Sequence, residues 1–336
     1  MLQAKFPKVN FIGNKEKVND WITSNFPKKT YSIFDAFSGG CSISFRAKQL
    51  GYKVISNDVL EVNYHLAKSL IQNNRFKLTK NDILKIFEGK PKKGFVYRNY
   101  SEVYFYPEEC MELDQYWYNI NKNIKNSYKK SLAISLMRRA MIRKRPYSRF
   151  NILWKKVIQL RDENFSYEKY KRKRSYHNQS FKSHFLDEVD AYNSAIFDNN
   201  KKHKVMNKNI FDVIDKVEAD IIYLDPPYPG TMNDYFGFYG FLDEFIAQKK
   251  LEPFPNNFTD RSKVIEDFDY LFSRSNNFKH LLLSFNSKSS PKKEIMLALL
   301  KKYFKRVELL ERKHNYQITG KENKKTNNEY LFKASR

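Results

Sequence analysis

Nothing in this chain reads as a transmembrane helix, because no run of about eighteen apolar residues occurs in it. The N-terminus, Met1-Leu2-Gln3-Ala4-Lys5, lacks the basic-then-apolar pattern of a secretory signal peptide, and the two absences together predict a soluble, cytoplasmic protein without a membrane partner. Cysteine is scarce as well. Cys41 and Cys110 stand alone, without Cys-x-x-Cys spacing or neighbouring His pairs, which argues against a disulfide framework and against a zinc site, so no metal is expected. Phosphate-binding signatures are missing too. The turn at Gly39-Gly40 lacks the Gly-x-Gly-x-x-Gly pyrophosphate fingerprint, and no Lys-Ser or Lys-Thr follows it as in a P-loop. Acids run short, with 37 Asp and Glu against 62 Lys and Arg, for a formal charge of +25.

What is present is enough for a core. A length of 336 residues with 41% hydrophobic content allows one large domain or two modest ones. The positive charge is concentrated. Between Asn121 and Ser180 there are 18 Lys or Arg against three acids, a field of about +15 suited to a polyanion. Part of it serves as a solvated face. Yet Tyr147, Phe150, Trp154, Phe165, Tyr167, Tyr170 and Tyr176 interleave with the cations, the composition of a surface that meets phosphates and bases.

Three blocks organise the chain. Ser32–Phe37 reads as a short strand, Ser38-Gly39-Gly40 as a turn, Ser42–Leu50 as a helix and Tyr52–Asp58 as the next strand, a βαβ unit. A helical pattern resumes over Val62–Ile71. The middle block, about 90–199, is dominated by helix-like segments at Pro107–Ile120, Ser127–Arg143 and Phe181–Phe197. Strands return after Val205, at Ile221–Leu224, His280–Phe285, Arg306–Glu311 and Tyr330–Lys333. No repeat or low-complexity linker intervenes, so the middle block reads as an insertion into one α/β domain.

Asp225-Pro226-Pro227-Tyr228 follows the apolar run Ala219–Leu224, at the carboxyl edge of a buried strand. Two consecutive prolines fix φ near about −65° and remove two backbone donors, leaving a rigid turn that presents carbonyls between an acid and an aromatic ring. Asp225 and the Pro226 carbonyl can each accept one N–H of a flat amino-bearing molecule, with Tyr228 stacked on its plane. The plainer reading is a strand-ending turn with a chance aromatic. Gly39 and Gly40 allow close backbone approach to a ligand, and Asp58 ends the second strand where an acid meets ribose hydroxyls. A nucleoside without phosphates fits, and S-adenosylmethionine is such a ligand.

Taken in order, Phe11-Ile12-Gly13-Asn14-Lys15, Asp35-Ala36-Phe37-Ser38-Gly39-Gly40, Asp58 and Asp225–Tyr228 resemble the Dam-like group of amino DNA methyltransferases. The interval of about 185 residues between Gly40 and Asp225 is similar to the layout in which target recognition lies between cofactor and catalytic motifs. The resemblance covers roughly 6–75 and 205–335. It implies a Rossmann-like sheet of the S-adenosylmethionine-dependent methyltransferase kind, with 1–89 and 200–336 catalytic and 90–199 a mainly helical target-recognition insertion. It also implies a prokaryotic or phage-encoded enzyme acting on adenine N6 of double-stranded DNA, with possible pairing to a restriction endonuclease.

The resemblance also implies roles. Phe11 and Lys15 look like cofactor contacts, with Lys15 neutralising the methionine carboxylate. Asp35, Phe37, Gly39 and Gly40 resemble the cofactor loop, and Asp58 the ribose-binding acid. Asn209 and Ile210 fall where relatives place an Asp and an apolar residue around the cofactor adenine, so Asn209 departs from the pattern. Asp225, Pro226, Pro227 and Tyr228 would carry catalysis, with Asp225 close enough to serve the cofactor site as well. Arg138, Arg139, Arg143, Lys144, Arg145 and Arg149 are the expected DNA contacts. The aromatic, glycine-rich run Pro229–Gly240 is read as a lid, with Tyr235 and Tyr239 lining the base pocket, or as ordinary aromatic packing. Ser284–Ser287 resembles a segment beside the active site, and His314-Asn315-Tyr316 with Glu329–Phe332 a closing strand pair. Cytosine-N4 methylation, methylation of RNA adenine and a DNA-binding module with a vestigial site are the alternatives.

Overall fold

The computed structural model describes residues 4–229, 234–255, 257–313 and 328–336. The chain divides into two compact units. The first comprises Met1–Ile12, Leu60–Asp198 and Phe236–Pro253, and the second Gly13–Val59, Asn199–Tyr235 and Phe254–Arg336. The expected insertion at 90–199 falls within the first unit apart from Asn199. No helix among the described residues is long and apolar enough to cross a membrane.

The second unit is an α/β layer built on a sheet whose described strands are β1 (Ser32–Asp35), β2 (Lys53–Asp58), β3 (Lys204–Asn207), β4 (Ala219–Leu224), β5 (Phe278–Asn286), β6 (Arg306–Lys313) and β7 (Asn328–Ser335). Their spatial order is β3-β2-β1-β4-β5-β7-β6. Strands β1 to β5 pair in parallel, and β7 lies antiparallel between β5 and β6. Parallel strands covered on both faces read as apolar runs, and Ile33, Phe34, Ile221, Ile222 and Leu281–Leu283 are fully buried. The edge strand β6 is different: its Arg306, Glu311, Arg312 and Lys313 face solvent, charges that discourage pairing with another edge. Phe268, Leu271 and Phe272 of the helix Val264–Ser273, with Met296 and Leu300 of Lys293–Tyr303, join the sheet's residues in one core.

Strand order turns outward in both directions from the β1–β4 pair. Such a switch point opens a crevice beyond the carboxyl ends of the strands, where the covering connections diverge. Asp35 ends β1, Asp58 ends β2, Asp225 follows Leu224 at the end of β4, and Asn286 ends β5. The sheet therefore carries all four to one edge.

The first unit is helical and centres on Ser127–Lys144, whose residues from Ser131 to Ile142 are all buried. Asn126 caps it by accepting from the Tyr128 and Lys129 amides, and it packs on Glu61–Ala67 and Phe181–Ser194. A helix buried on every side needs partners all round. Several of the unit's basic residues are met inside. Arg145, 1% exposed, donates to the carbonyls of Tyr104, Phe150 and Ile152 at 2.6, 3.1 and 3.0 Å. Helices at Lys80–Phe87, Phe95–Tyr100, Trp154–Arg161 and Glu163–Tyr170 add to those expected from the sequence. The run expected as a lid is helical from Tyr235 to Ala247, because Phe238, Tyr239, Phe241, Leu242 and Phe245 supply a continuous buried face. Its residues 230–233, like 314–316 of the expected closing strand pair, lie outside the described residues.

Replacing Arg145 by Ala strands three carbonyl oxygens, each costing about 1–3 kcal/mol if no other donor reaches it. Arg145→Ala should lower unfolding free energy by at least roughly 3 kcal/mol in urea titrations, while Arg145→Lys, with fewer donors, recovers part of it.

Candidate active site

The turn after β1 is tied to β2. Asp58 Oδ2 accepts from the Gly39 amide at 2.8 Å, and the Ser38 amide donates to the Asn57 carbonyl at 2.9 Å. Gly39 has φ +46°, and Cys41, also left-handed at φ +64°, leads into the helix Ser42–Gln49. A glycine at the apex of the turn keeps its backbone open for close approach. Asp35, 1% exposed, accepts from Ser44 Oγ at 2.6 Å through Oδ2, but its buried Oδ1 has no hydrogen-bond partner among the described residues. The Ser38 hydroxyl is buried and unpartnered in the same way. Burial, with Asp225 and Asp58 nearby adding repulsion against the Ser44 hydrogen bond, lifts Asp35 from 3.8 to about 7.

On the β3 side, Asn209 caps the turn Ile210–Asp212, its amide oxygen accepting from the Phe211 amide at 3.1 Å. Ile210 is buried, and Phe37 and Phe211 both pack on Phe258 at 5.6 and 5.5 Å. Three short elements thus build an apolar wall beside the glycine turn.

Asp225 is held by Lys15. The ammonium Nζ lies 2.8 Å from Asp225 Oδ1 and 3.7 Å from Glu329 Oε1, with the Lys15 side chain 3% exposed and that of Glu329 0%. Burial raises the Asp225 pKa, and the attraction of Lys15 offsets only part of the rise. Beneath it, the Tyr223 hydroxyl bonds Ser284 Oγ at 2.7 Å, and burial pushes that phenol well above its ordinary value. Pro226 is buried and Pro227 half-buried, and the Tyr228 ring packs against Phe285 at 5.0 Å. Lys15, expected to face a methionine carboxylate, lies between two carboxylates of the protein itself. Glu329 had been read only as part of a closing strand. Its signal was an acid directly before the apolar run Tyr330-Leu331-Phe332.

The family model for D12 class N6 adenine-specific DNA methyltransferases matches residues 11–299. The chain belongs to that family. It is 51% identical to Type II methyltransferase M2.HphI of Haemophilus parahaemolyticus, over 99% of this chain and 98% of that one. It is 24% identical to Type II methyltransferase M.CviAII of Paramecium bursaria Chlorella virus 1, over 91% and 92%. Type II methyltransferase M.FokI of Planomicrobium okeanokoites aligns at 24% identity with 88% of this chain, which spans 46% of that longer protein. The D12 enzyme is an adenine-specific DNA methyltransferase whose methyl donor is S-adenosylmethionine.

The six cations expected to meet DNA in this methyltransferase are not equivalent. Arg138, Arg139, Lys144 and Arg145 are at most 2% exposed. Arg138 donates to the Val9 carbonyl at 2.7 Å, Arg139 to Glu188 at 2.8 Å, and Lys144 pairs with Glu109 at 2.8 Å. These side chains hold the first unit together, and their burial leaves them no face toward a phosphate. Arg143 is half-buried, bonding His184 Nδ1 at 3.2 Å, and Arg149 is half-buried over the Phe238 ring. In the same unit Phe11 stacks on Tyr239 at 5.0 Å, and the Ile12 amide donates to the Tyr239 hydroxyl at 3.0 Å. Tyr239 is therefore a buried anchor of the N-terminal segment. Tyr235 lies against Phe254.

Asp35 gives a stability test whose sign is fixed. Between about pH 4 and 7 the folded methyltransferase keeps a proton on Asp35 that the unfolded chain has released, so this residue's contribution falls as pH rises and levels off above 7. Urea titrations without cofactor should show the wild type losing stability relative to Asp35→Asn over that window. A constant difference between the two would contradict the assignment.

Proposed function

We propose that the carboxyl edge of β1, β2 and β4 holds the donor and the adenine side by side, with Asp225 and the Pro226 carbonyl accepting the two N6 hydrogens. The observation that carries this reading is Asp225 itself: a carboxylate on a rigid proline turn, aimed by a buried lysine. Delocalisation into the ring makes N6 a poor nucleophile. Two fixed acceptors favour the geometry in which its lone pair is localised, and an ionised Asp225 balances the positive charge that grows on N6. The electrophile is the sulfonium methyl that S-adenosylmethionine supplies when bound. Tyr228 offers a stacking surface for an adenine turned out of the duplex, which costs a few kcal/mol of lost stacking and pairing.

The protein's own residues fit the donor. The unpartnered Asp35 Oδ1 and Ser38 hydroxyl are buried polar atoms suited to its charged amino-acid portion, and Asp58 to its ribose hydroxyls. Ile210, Phe37 and Phe211 would flank its adenine, with Asn209 shaping the turn that carries Ile210. Gly39 and Gly40 keep the backbone low beside it.

For DNA, the proposed contacts shift from the buried arginines to the exposed cations of the same basic region, which acts as the target-recognition segment. Lys155, Lys169, Lys171, Arg172 and Lys173 are exposed, and Tyr147, Tyr167 and Tyr176 stand 50%, 51% and 40% exposed among them. Cations for phosphates and aromatic faces for bases make this the nucleic-acid surface. Double-stranded DNA as substrate, a cytoplasmic location and pairing with a restriction endonuclease, as the Type II names of its relatives suggest, complete the proposal.

Asp225→Ala should cut methyl transfer by at least about a hundredfold while DNA binding persists, as read by labelled cofactor and by gel shift. Full turnover in that variant would remove Asp225 from the mechanism. Neutralising Lys171, Arg172 and Lys173 together should weaken DNA binding and flatten its dependence on salt, by about 0.9 in log–log slope for each phosphate that the variant no longer neutralises. An unchanged slope would return these residues to a solvated face.

A further inference from the structure

Glu329 is a wholly buried acid at the head of β7, followed by the buried apolar residues Tyr330, Leu331 and Phe332. Since β7 runs antiparallel to β5, its beginning lies where β5 ends, and Glu329 pairs in register with Asn286, the last residue of that strand. The one antiparallel insertion in the row thus delivers a carboxylate to the edge where the parallel strands deliver theirs. Taking a carboxylate out of water costs several kcal/mol, and packing alone would favour an apolar residue at this position. The Lys15 ammonium, 2.8 Å from Asp225 and 3.7 Å from Glu329, stands between the two acids.

We propose that Glu329 is a positioning residue that draws the Lys15 ammonium off Asp225 when the adenine amino group arrives, so that N6 meets a free carboxylate. The proposal rests on the role of Asp225 given above. Two donors compete for the same carboxylate, whose Oδ1 Lys15 already holds. An ammonium left against Asp225 would oppose the positive charge growing on N6 and weaken the carboxylate as an acceptor. Reaching a charge-assisted hydrogen bond of about 2.7–2.9 Å with Glu329 requires Nζ to close by roughly 1 Å, a small change for a four-carbon stem. Without Glu329 the displaced lysine would be a buried cation deprived of a nearby carboxylate. With it, the ammonium is paired in both positions. Before the adenine arrives, the same contact keeps Asp225 oriented.

Among the described residues, the charged and titratable groups around Asp225 are Lys15, Glu329, Tyr223 and Asp35. Removing the charge of Glu329 alone leaves Lys15 bound to Asp225 and lowers the Asp225 pKa, because an opposite charge at short range favours the ionised form.

The test is single-turnover methylation of an unmethylated duplex by the full-length enzyme from pH 5 to 9, with DNA and cofactor affinities measured alongside. Glu329→Gln should slow methyl transfer about ten- to a hundredfold, leave both affinities within about twofold, and move the acid limb of the rate to lower pH. In a Lys15→Met background the same substitution should cost little, since the ammonium it redirects is gone. A slower rate with an unmoved acid limb, or an equal loss in both backgrounds, would show Glu329 to be a packing residue and overturn the proposal. Should Glu329→Gln melt out at the assay temperature, Glu329→Asp keeps the charge and shortens the reach. It should retain the wild-type acid limb with a severalfold lower rate, and a wild-type rate would overturn the proposal. Asp225→Ala separates the two readings: if it is inactive while Glu329→Gln turns over normally, the role of Asp225 stands and that of Glu329 falls.

Discussion

Holding Asp35, Asp58, Asp225 and Glu329 at one buried edge of a sheet is the constraint that the second unit answers. Each carboxylate out of water costs several kcal/mol unless it finds a partner or keeps its proton. The four are met differently. Asp58 takes the Gly39 amide, which ties the glycine turn to β2. Asp35 takes Ser44 through one oxygen and titrates near pH 7, leaving the other oxygen unspent. Asp225 and Glu329 share the attention of Lys15. Charge is thereby graded across the edge.

Strand order makes that concentration of acids possible. Parallel strands release their carboxyl ends together, and the outward turn at β1 and β4 leaves room beyond them. β7 reverses direction between β5 and β6, so it contributes its first residues rather than its last to the same edge. Ser284, two residues before the end of β5, braces Tyr223 under Asp225. The site is rigid because each of its acids sits at or beside the end of a strand whose middle is fixed in the core.

In the first unit the electrostatic problem is inverted. An excess of cations has to be accommodated, and much of it goes inward. Arg161 makes a fork with Glu109 at 2.8 and 2.7 Å while Lys144 joins the same carboxylate, and Arg145 gathers backbone carbonyls instead of an acid. A guanidinium carries five donors in a fixed plane, so it can close several loops at once. Formal charge in this region is thus partly structural glue, while Lys122, Lys125, Lys155, Lys169, Lys171, Arg172 and Lys173 face solvent.

The sequence by itself determined the proline turn at Asp225–Tyr228, the glycine turn, an acid at the end of β2, the α/β class and the family, because each depends on local chemistry: proline geometry, glycine freedom, an acid at a strand end, apolar runs of strand length. Tertiary structure alone decided the rest. Whether Arg138 or Lys173 reaches solvent depends on which helices cover Ser127–Lys144, and no spacing in a uniformly basic stretch records that. The aromatic run after Pro229 reads equally as a lid or as ordinary aromatic packing, and from Tyr235 its side chains take a buried face on a helix. Lys15 and Glu329 lie 314 positions apart in the chain and act on Asp225 together only because an antiparallel strand brings its first residues to the edge where the parallel strands end.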